Sequence, residues 1–395
     1  MNTINRYKVI YYTALIYLLS SCISAFEPVD VKSLEGILVV DGMILDVGTT
    51  INLSRTIKLD DPRLQESSQI NQIAVSNASI HVIDEGSNVI AVAEQQISDG
   101  ILIPGTYEVN EKIIFMPGMK YALDIQIENK HYRSAFASPV YTPEIDEVNW
   151  KLNDDNSIDI MVSTHDPENK INYYRWAFDE DWEIISPLFA SQRFEPSTGD
   201  IIEQSINGSN NRYYCWGTDN SKSLILGSYD KLSTTVISNK IIYQIPPYTS
   251  RYSYLYSILV KQYGLDKEAY SYFENLQRNI EGSGSIFAPQ PSEKKGNIRC
   301  LTDPAEPVIG YVAITNATTY RLFIDVAKLG IDVEWNCSET TIISSNYQLR
   351  EAYTNGLGLY YVVEPDYVHV SRICVDCTLR GGIKKKPDFW PNDHQ

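Results

Sequence analysis

The sequence predicts a mainly β protein made of two antiparallel sandwiches. The first is immunoglobulin-like or transthyretin-like, and the second is sandwich-like with an inserted helix and a long loop. Short stretches that alternate apolar with polar residues recur along the chain, separated by Gly, Pro, Asn and Asp at intervals of about 8–12 residues. A hydrophobic content of 43%, with 28 tyrosines among 395 residues, is enough to bury two cores.

The first predicted domain covers residues 34–140. In residues 121–127, Tyr121, Leu123 and Ile125 share one face of a strand, while Asp124 and Gln126 share the other. The other predicted strands of this domain are residues 36–42, 50–56, 78–83 and 131–134. The segment 139–143 (PVYTP) is predicted to be a linker, because prolines stop strand pairing.

The second predicted domain covers residues 144–395. Its predicted strands are residues 148–152, 158–162, 173–178, 310–315, 320–325 and 360–363. The polar run 153–156 between the first two is typical of a hairpin turn.

One helix, at about residues 266–281, is predicted within this domain. Asp266 is a suitable N-cap, Gly282 lies where a C-cap glycine is expected, and Leu265, Ala269, Phe273, Leu276 and Ile280 follow helical spacing. The Gly-, Pro- and Ser-rich residues that follow the helix, up to residue 298, predict a loop.

The N-terminus is typical of a lipoprotein signal peptide, residues 1–21. Arg6 and Lys8 precede an apolar run at residues 9–19, which is shorter than the roughly 20 residues that a membrane-spanning helix needs. The sequence Leu-Ser-Ser-Cys then ends at Cys22, which is the predicted lipidation site. Residues 22–33 would form a tether. The alternative is an ordinary secretory signal with an incidental cysteine.

Lipidation at Cys22 predicts anchoring to a membrane of a Gram-negative bacterium. No aspartate directly follows Cys22, which favours the outer membrane and leaves open the cell surface or the periplasmic face. The net charge of −17 becomes more negative once the leader with Arg6 and Lys8 is removed. Such acidity argues against nucleic acid and anionic head groups as partners.

Five cysteines follow Cys22, so an odd number enters the oxidising compartment and at least one thiol stays unpaired. Cys374 and Cys377 form a CxxC pair. Zinc would require a second such pair or two suitably spaced histidines, and the sequence has neither. We therefore expect a structural role, with a disulfide that involves Cys374 or Cys377.

Catalytic motifs are absent from the sequence. The five histidines lack metalloprotease spacing, and there is no GxSxG motif and no Walker loop. Residues 154–156 carry carboxylates that calcium prefers, but they lack the EF-hand spacing, and a hairpin turn is the favoured interpretation. The sequence therefore predicts no enzyme, no catalytic residue, no metal and no cofactor.

Aromatic residues are dense between positions 173 and 182, and this density leaves three interpretations open. They are core packing, contact with a partner protein, and stacking on a small ligand such as a sugar. The candidate contact residues are Tyr174, Trp176, Trp182, Tyr263 and Phe287.

Several ordered motifs resemble a family of Bacteroidetes outer-membrane lipoproteins of undefined function. They are VVDG at 39–42, LSRT at 53–56, YYRW at 173–176, YSILVKQY at 256–263, GSIF at 284–287, PVIGY at 307–311, CVDC at 374–377 and PDFW at 387–390. The resemblance covers nearly the whole mature chain. Genes of this family typically lie beside a TonB-dependent transporter, and the family has no established catalytic residues.

The resemblance implies a lipid-anchored, non-enzymatic accessory protein that assists substrate capture by a TonB-dependent nutrient transporter. On this hypothesis, the helix 266–281 and the loop 282–298 are the expected contact surface, because sheets usually present function on loops. The alternative is a stand-alone ligand- or glycan-binding surface lipoprotein that uses an aromatic groove.

Overall fold

The computed structural model describes residues 36–57, 73–98, 100–208, 210–229, 236–282, 296–331, 337, 340–343 and 348–391. As predicted, the described chain is mainly β. Its helices are α1 (Lys267–Gly282) and α2 (Leu349–Thr354). Its strands are β1 (Leu38–Leu45), β2 (Thr50–Arg55), β3 (Ser79–Asp84), β4 (Val89–Ser98), β5 (Ile101–Glu108), β6 (Tyr121–Ile127), β7 (Lys130–Ser134), β8 (Ile145–Leu152), β9 (Ile158–His165), β10 (Tyr173–Ile185), β11 (Gln192–Glu195), β12 (Asp200–Glu203), β13 (Tyr214–Asn220), β14 (Ile225–Ser228), β15 (Val236–Ile245), β16 (Leu255–Leu265), β17 (Ile298–Cys300), β18 (Val308–Gly310), β19 (Ala313–Thr315), β20 (Ala317–Asp325), β21 (Thr341–Ile343), β22 (Leu357–Val363) and β23 (Asp366–Ser371).

The first seven strands form one sheet with three later strands, in the order β17-β7-β6-β3-β4-β5-β2-β1-β18, with β19 also paired to β1. The sheet folds over at β4, whose first half pairs with β3 and whose second half pairs with β5. Apolar side chains from both halves of the sheet, among them Leu53, Ile80 and Leu123, form the first core. The result is a sandwich-like body.

The edges of this sheet come together at Asn297. Its Nδ2 donates a hydrogen bond to the carbonyl of Val312, and its Oδ1 accepts one from the Val312 amide, each at 2.9 Å. A Cβ atom at Gly296 would lie 1.7 Å from the carbonyl oxygen of Gly310, so only glycine allows this close approach. The sheet is therefore nearly closed.

The sequence predicted a first sandwich confined to residues 34–140. In the structure, later strands also belong to it. Strand β17 pairs with β7, while β18 and β19 pair in parallel with β1. Residues 298–315 therefore return from the second half of the chain to complete the first core. The predicted strand at 310–315 is divided between β18 and β19.

The second core lies between a sheet ordered β13-β10-β16-β20 and a sheet ordered β15-β9-β8. Strand β10 carries alternate large aromatic rings into this core, and two glycines make room for them. A Cβ atom at Gly217 would lie 2.3 Å from the ring of Trp182, and one at Gly227 would lie 2.6 Å from the ring of Trp176.

The helix α1 packs on a third cluster, at the seam between the two bodies. Ala269 and Phe273 from the helix meet Met43 and Leu45 of β1 and Tyr263 of β16. The Asp266 carboxylate accepts a hydrogen bond from the Ala269 amide at 2.7 Å, which is N-cap geometry. The predicted helix, its cap and its end at Gly282 are confirmed.

Two disulfides hold the C-terminal part of the chain. They join Cys215 to Cys377 and Cys337 to Cys374, and Cys300 is a buried free thiol. The cysteines of the CxxC pair thus bond to different partners and not to each other. No helix among the described residues has the length and apolar character needed to cross a membrane.

We expect the double variant Cys215→Ala, Cys377→Ala to lose about 4 kcal/mol of unfolding free energy, because this disulfide bridges a sequence separation of 162 residues. Denaturant unfolding under oxidising conditions measures it. The control Cys300→Ala removes a buried sulfur without removing a cross-link, and should cost about 1 kcal/mol. Equal losses in the two proteins would contradict the pairing.

Candidate functional site

The predicted aromatic contact residues do not form an exposed surface. Tyr174, Trp176 and Trp182 are buried in the second core, and Tyr263 is buried at the seam under α1. Of the three interpretations that the sequence left open, core packing matches the burial of these four residues. Phe287 lies outside the described residues.

The indole N–H groups of Trp176 and Trp182 find hydrogen-bond acceptors inside the protein. Trp176 Nε1 donates to Gln262 Oε1 at 2.9 Å, and Gln262 Nε2 in turn donates to Thr164 Oγ1 and to the carbonyl of Pro143 at 3.0 Å. Trp182 Nε1 donates to Ser250 Oγ at 3.1 Å. A buried indole needs such partners, and finding them here is consistent with a structural role.

A buried carboxylate, Glu180, lies at the end of the second core. Arg251 forms an ion pair with it, and Tyr256 donates its hydroxyl to Glu180 at 2.8 Å. The Arg251 guanidinium also covers the Trp182 ring, 4.2 Å from its centroid. Burial, followed by the charge of Glu180, raises the pKa of Tyr243 to about 12. Because Arg251 and Tyr256 donate to the Glu180 carboxylate from within the fold, we interpret this network as structural.

A second buried carboxylate, Glu183, lies on the opposite face of the same sheet, beneath the C-terminal segment. Trp390 Nε1 donates to Glu183 Oε2 at 3.2 Å, and the Trp390 ring packs edge-on against Phe323. Phe389 is stacked under the guanidinium of Arg321. The PDFW motif therefore closes this face of the sheet, and burial raises the pKa of Glu183 to about 7.

A cavity of about 120 Å³ lies between the β11–β12 hairpin and the sheet β21-β23-β22. Arginines from three separate segments line it: Arg193 on β11, Arg212 just before β13, and Arg372 just after β23. The other lining residues include the acids Glu195 and Asp376, the rings of Phe194 and Tyr353, and Gln204, Gly358 and Leu359.

Three arginines and two acids line this cavity, so the basic side chains outnumber the acidic ones by one. Arg372 lies over the ring of Tyr353 at 4.2 Å, and Arg193 Nη1 pairs with Glu195 at 2.6 Å. Lys384 donates to the carbonyl of Tyr214 near Arg212. Burial and the charge of Arg212 lower the pKa of Lys384 to about 8. Cationic side chains thus accumulate here, in a chain whose net charge is −17.

Sequence reasoning missed this cavity. The three arginines are isolated in the sequence, at positions 193, 212 and 372, with no motif that links them. Two of these arginines lie close in sequence to disulfides, since Arg212 is near Cys215, which is bonded to Cys377, and Arg372 is near Cys374, which is bonded to Cys337. The sequence does not specify the pairing of those cysteines, and no local pattern places Arg193 beside them.

Metal-binding geometry is not found in the described part of the chain. No group of three or more His, Cys, Asp or Glu side chains there is placed to hold a metal ion. The acidic run at 154–156 forms the turn between β8 and β9, where Asp155 accepts hydrogen bonds from the amide and hydroxyl of Ser157 at 3.0 and 2.6 Å. The hairpin-turn interpretation is thus confirmed.

These observations define a mainly β protein with two sandwich-like bodies and a cationic cavity near its C-terminus. The chain belongs to the family described as "Domain of unknown function (DUF4249)", whose model matches residues 26–321. Arg193, Gln204 and Arg212 lie inside the matched region, and Tyr353 and Arg372 lie beyond it. No curated protein matches the chain.

We expect Glu183→Gln to stabilise the protein above neutral pH. A carboxyl whose folded pKa is raised to about 7 destabilises the fold when it ionises, so wild-type stability falls as the pH rises from about 4.5 to about 7. The variant avoids this loss, and its amide oxygen can still accept from Trp390. The gain should be about 2 kcal/mol at pH 8 and close to zero at pH 4.5.

Denaturant unfolding at several pH values measures this gain. Glu147→Gln, at an exposed position on β8, is the matched control and should change the unfolding free energy by about 0.5 kcal/mol or less. A gain for Glu183→Gln that stayed constant with pH would show that the carboxyl does not titrate near neutral pH.

Proposed function

We propose that the protein is a lipid-anchored outer-membrane lipoprotein, acting as a non-enzymatic accessory subunit of a TonB-dependent nutrient transporter. The Leu-Ser-Ser-Cys pattern ending at Cys22 supports the anchor. The motif resemblance supports a Bacteroidetes origin and the transporter partner. As part of this proposal, the first sandwich-like body is of the immunoglobulin-like or transthyretin-like kind.

The observation that carries the anchoring part is an apolar hairpin tip beside the start of β1. Strand pairing aligns Leu38 with Arg55 and Asn52 with Thr106, so the β4–β5 tip lies at the same end of the sheet as Gly36. Aliphatic side chains are exposed at this tip, with Ile97 at 64%, Ile101 at 68% and Leu102 at 53% exposure.

Exposed aliphatic side chains at this end suit contact with the lipid surface to which Cys22 would be bound. A tether of residues 22–33 spans at most about 40 Å when fully extended. It is therefore long enough to let this end of the sandwich rest on the membrane, and short enough to keep the body near it.

The proposed partner surface is the second half of α1. Phe273 is buried at the seam, whereas Leu276 and Ile280 are 37% and 60% exposed. A helix that leaves apolar residues exposed after its packed half is a suitable element for contact with another protein. The predicted loop that follows the helix lies largely outside the described residues.

The alternative of a stand-alone ligand-binding lipoprotein cannot use the aromatic groove first envisaged, because Tyr174, Trp176, Trp182 and Tyr263 are buried. The cationic cavity at Arg193, Arg212 and Arg372 is the specific observation that keeps ligand binding as a second candidate function.

We expect Cys22→Ala to move the protein out of the outer-membrane fraction and to abolish labelling with a radioactive fatty acid. The thiol of Cys22 is the proposed acceptor of the lipid, and each methylene of an acyl chain contributes about 0.8 kcal/mol to membrane binding. Cys300→Ala should remain membrane-bound and labelled. Retention of unlabelled, processed Cys22→Ala protein in the outer membrane would refute the anchor.

We expect the double variant Leu276→Asp, Ile280→Asp to stop co-purification of the transporter from detergent-solubilised native membranes. Charges on this exposed face would have to be desolvated in the complex, whereas the free protein should change in stability by about 0.5 kcal/mol or less. Arg278→Ala, on the same half of the helix, is the control and should retain the partner. Absence of any transporter beside the wild-type protein would reject the partner itself.

A further inference from the structure

The cavity near the C-terminus has charges that the fold does not neutralise. Asp376 is engaged by Thr378, accepting from its amide at 3.0 Å and from its hydroxyl at 2.5 Å, and Glu195 pairs with Arg193. Within the described residues, neither Arg212 nor Arg372 has a carboxylate within ion-pair distance. Three guanidinium groups against two carboxylates leave the cavity wall with one net positive charge, which an anion would balance.

Buried polar atoms in the cavity wall also lack protein partners. Arg193 Nε and Arg372 Nε are buried donors, and Gln204 Oε1 is a buried acceptor, without a hydrogen-bond partner in the described part of the protein. Gln204 is itself 7% exposed, and its Nε2 donates to the carbonyl of Ala190 at 3.1 Å, which fixes the orientation of the amide. An unsatisfied buried group costs about 1–3 kcal/mol.

The unpaired atoms specify complementary chemistry. Guanidinium groups present planar, forked donors that match the two oxygens of a carboxylate. The lone Gln204 acceptor requires a donor, such as a hydroxyl or an ammonium group, a short distance from that carboxylate. The cavity of about 120 Å³ is far larger than the roughly 10–15 Å³ needed by one water, and the Phe194 and Tyr353 rings line it.

We propose that this cavity binds a small carboxylic acid that carries a hydroxyl or amino group next to its carboxylate. The carboxylate lies among Arg193, Arg212 and Arg372, and the neighbouring donor faces Gln204. The two disulfides beside Arg212 and Arg372 hold the walls in place before the ligand arrives. The inference is independent of the anchor and of the transporter.

Calorimetric titration of the purified full-length mature protein tests the ligand class. The probes are glycolate, glycine, propionate and inorganic phosphate. We expect saturable binding of glycolate or glycine, with propionate about tenfold weaker because it leaves Gln204 without a donor. Whichever of glycolate and glycine binds more tightly shows whether the ligand is a hydroxy acid or an amino acid. Phosphate should bind more weakly than either.

Variants then locate the binding. Arg212→Met and Arg372→Met should each lower the affinity for the acid by about tenfold or more, as expected for loss of a charge-assisted hydrogen bond. Arg299→Met, an exposed position on β17, makes the same charge change away from the cavity and should leave affinity unchanged. Gln204→Met should remove the preference for glycolate over propionate.

The proposal is overturned if neither glycolate nor glycine binds saturably. The same holds if propionate or phosphate binds as tightly as whichever of those two compounds binds more tightly. It is also overturned if Arg299→Met weakens binding as much as Arg212→Met. Thermal melting of each variant identifies any that fails to fold. The comparison of probes on the wild-type protein decides the question in that case. These outcomes do not depend on the fate of the anchor, because binding is measured on purified protein.

Discussion

The strand β1 is the element on which the rest of the structure depends, because it belongs to two cores at once. Leu38, Val40 and Ile44 lie in the first core, whereas Met43 and Leu45 lie at the seam with α1 and β16. Its parallel pairing with β18 and β19 adds backbone hydrogen bonds to that packing. A shift of β1 by one residue relative to its neighbours would exchange its buried and exposed side chains. Both bodies would be disturbed together.

Local features of the fold were predictable from the sequence because their signals are local. The Asp266 cap, the helical spacing through Phe273 and the glycine at 282 are sufficient to define α1. The alternation of residues 121–127 likewise defines β6. The pairing of β1 with residues 308–315 was not predictable, since parallel pairing over such a separation leaves no pattern within either segment.

The site was less predictable than the fold. Alternation along β10 shows that Tyr174, Trp176 and Trp182 share a face, but it does not tell whether another sheet covers that face. The strands β8, β9 and β15 cover it, and this converts a candidate binding surface into core. The cavity at Arg193, Arg212 and Arg372 joins three distant segments, two of them beside disulfides whose connectivity one sequence leaves open.

The return of residues 298–315 to the first body has a consequence for biogenesis. A chain synthesised from its N-terminus delivers β1 to β7 long before β17, β18 and β19 emerge. Until then, the outer edges of β1 and β7 are unpaired strand edges, which readily associate with other chains. The N-terminal half therefore cannot finish folding before residues 298–315 are available, and a factor that protects those edges until then would raise the yield of native protein.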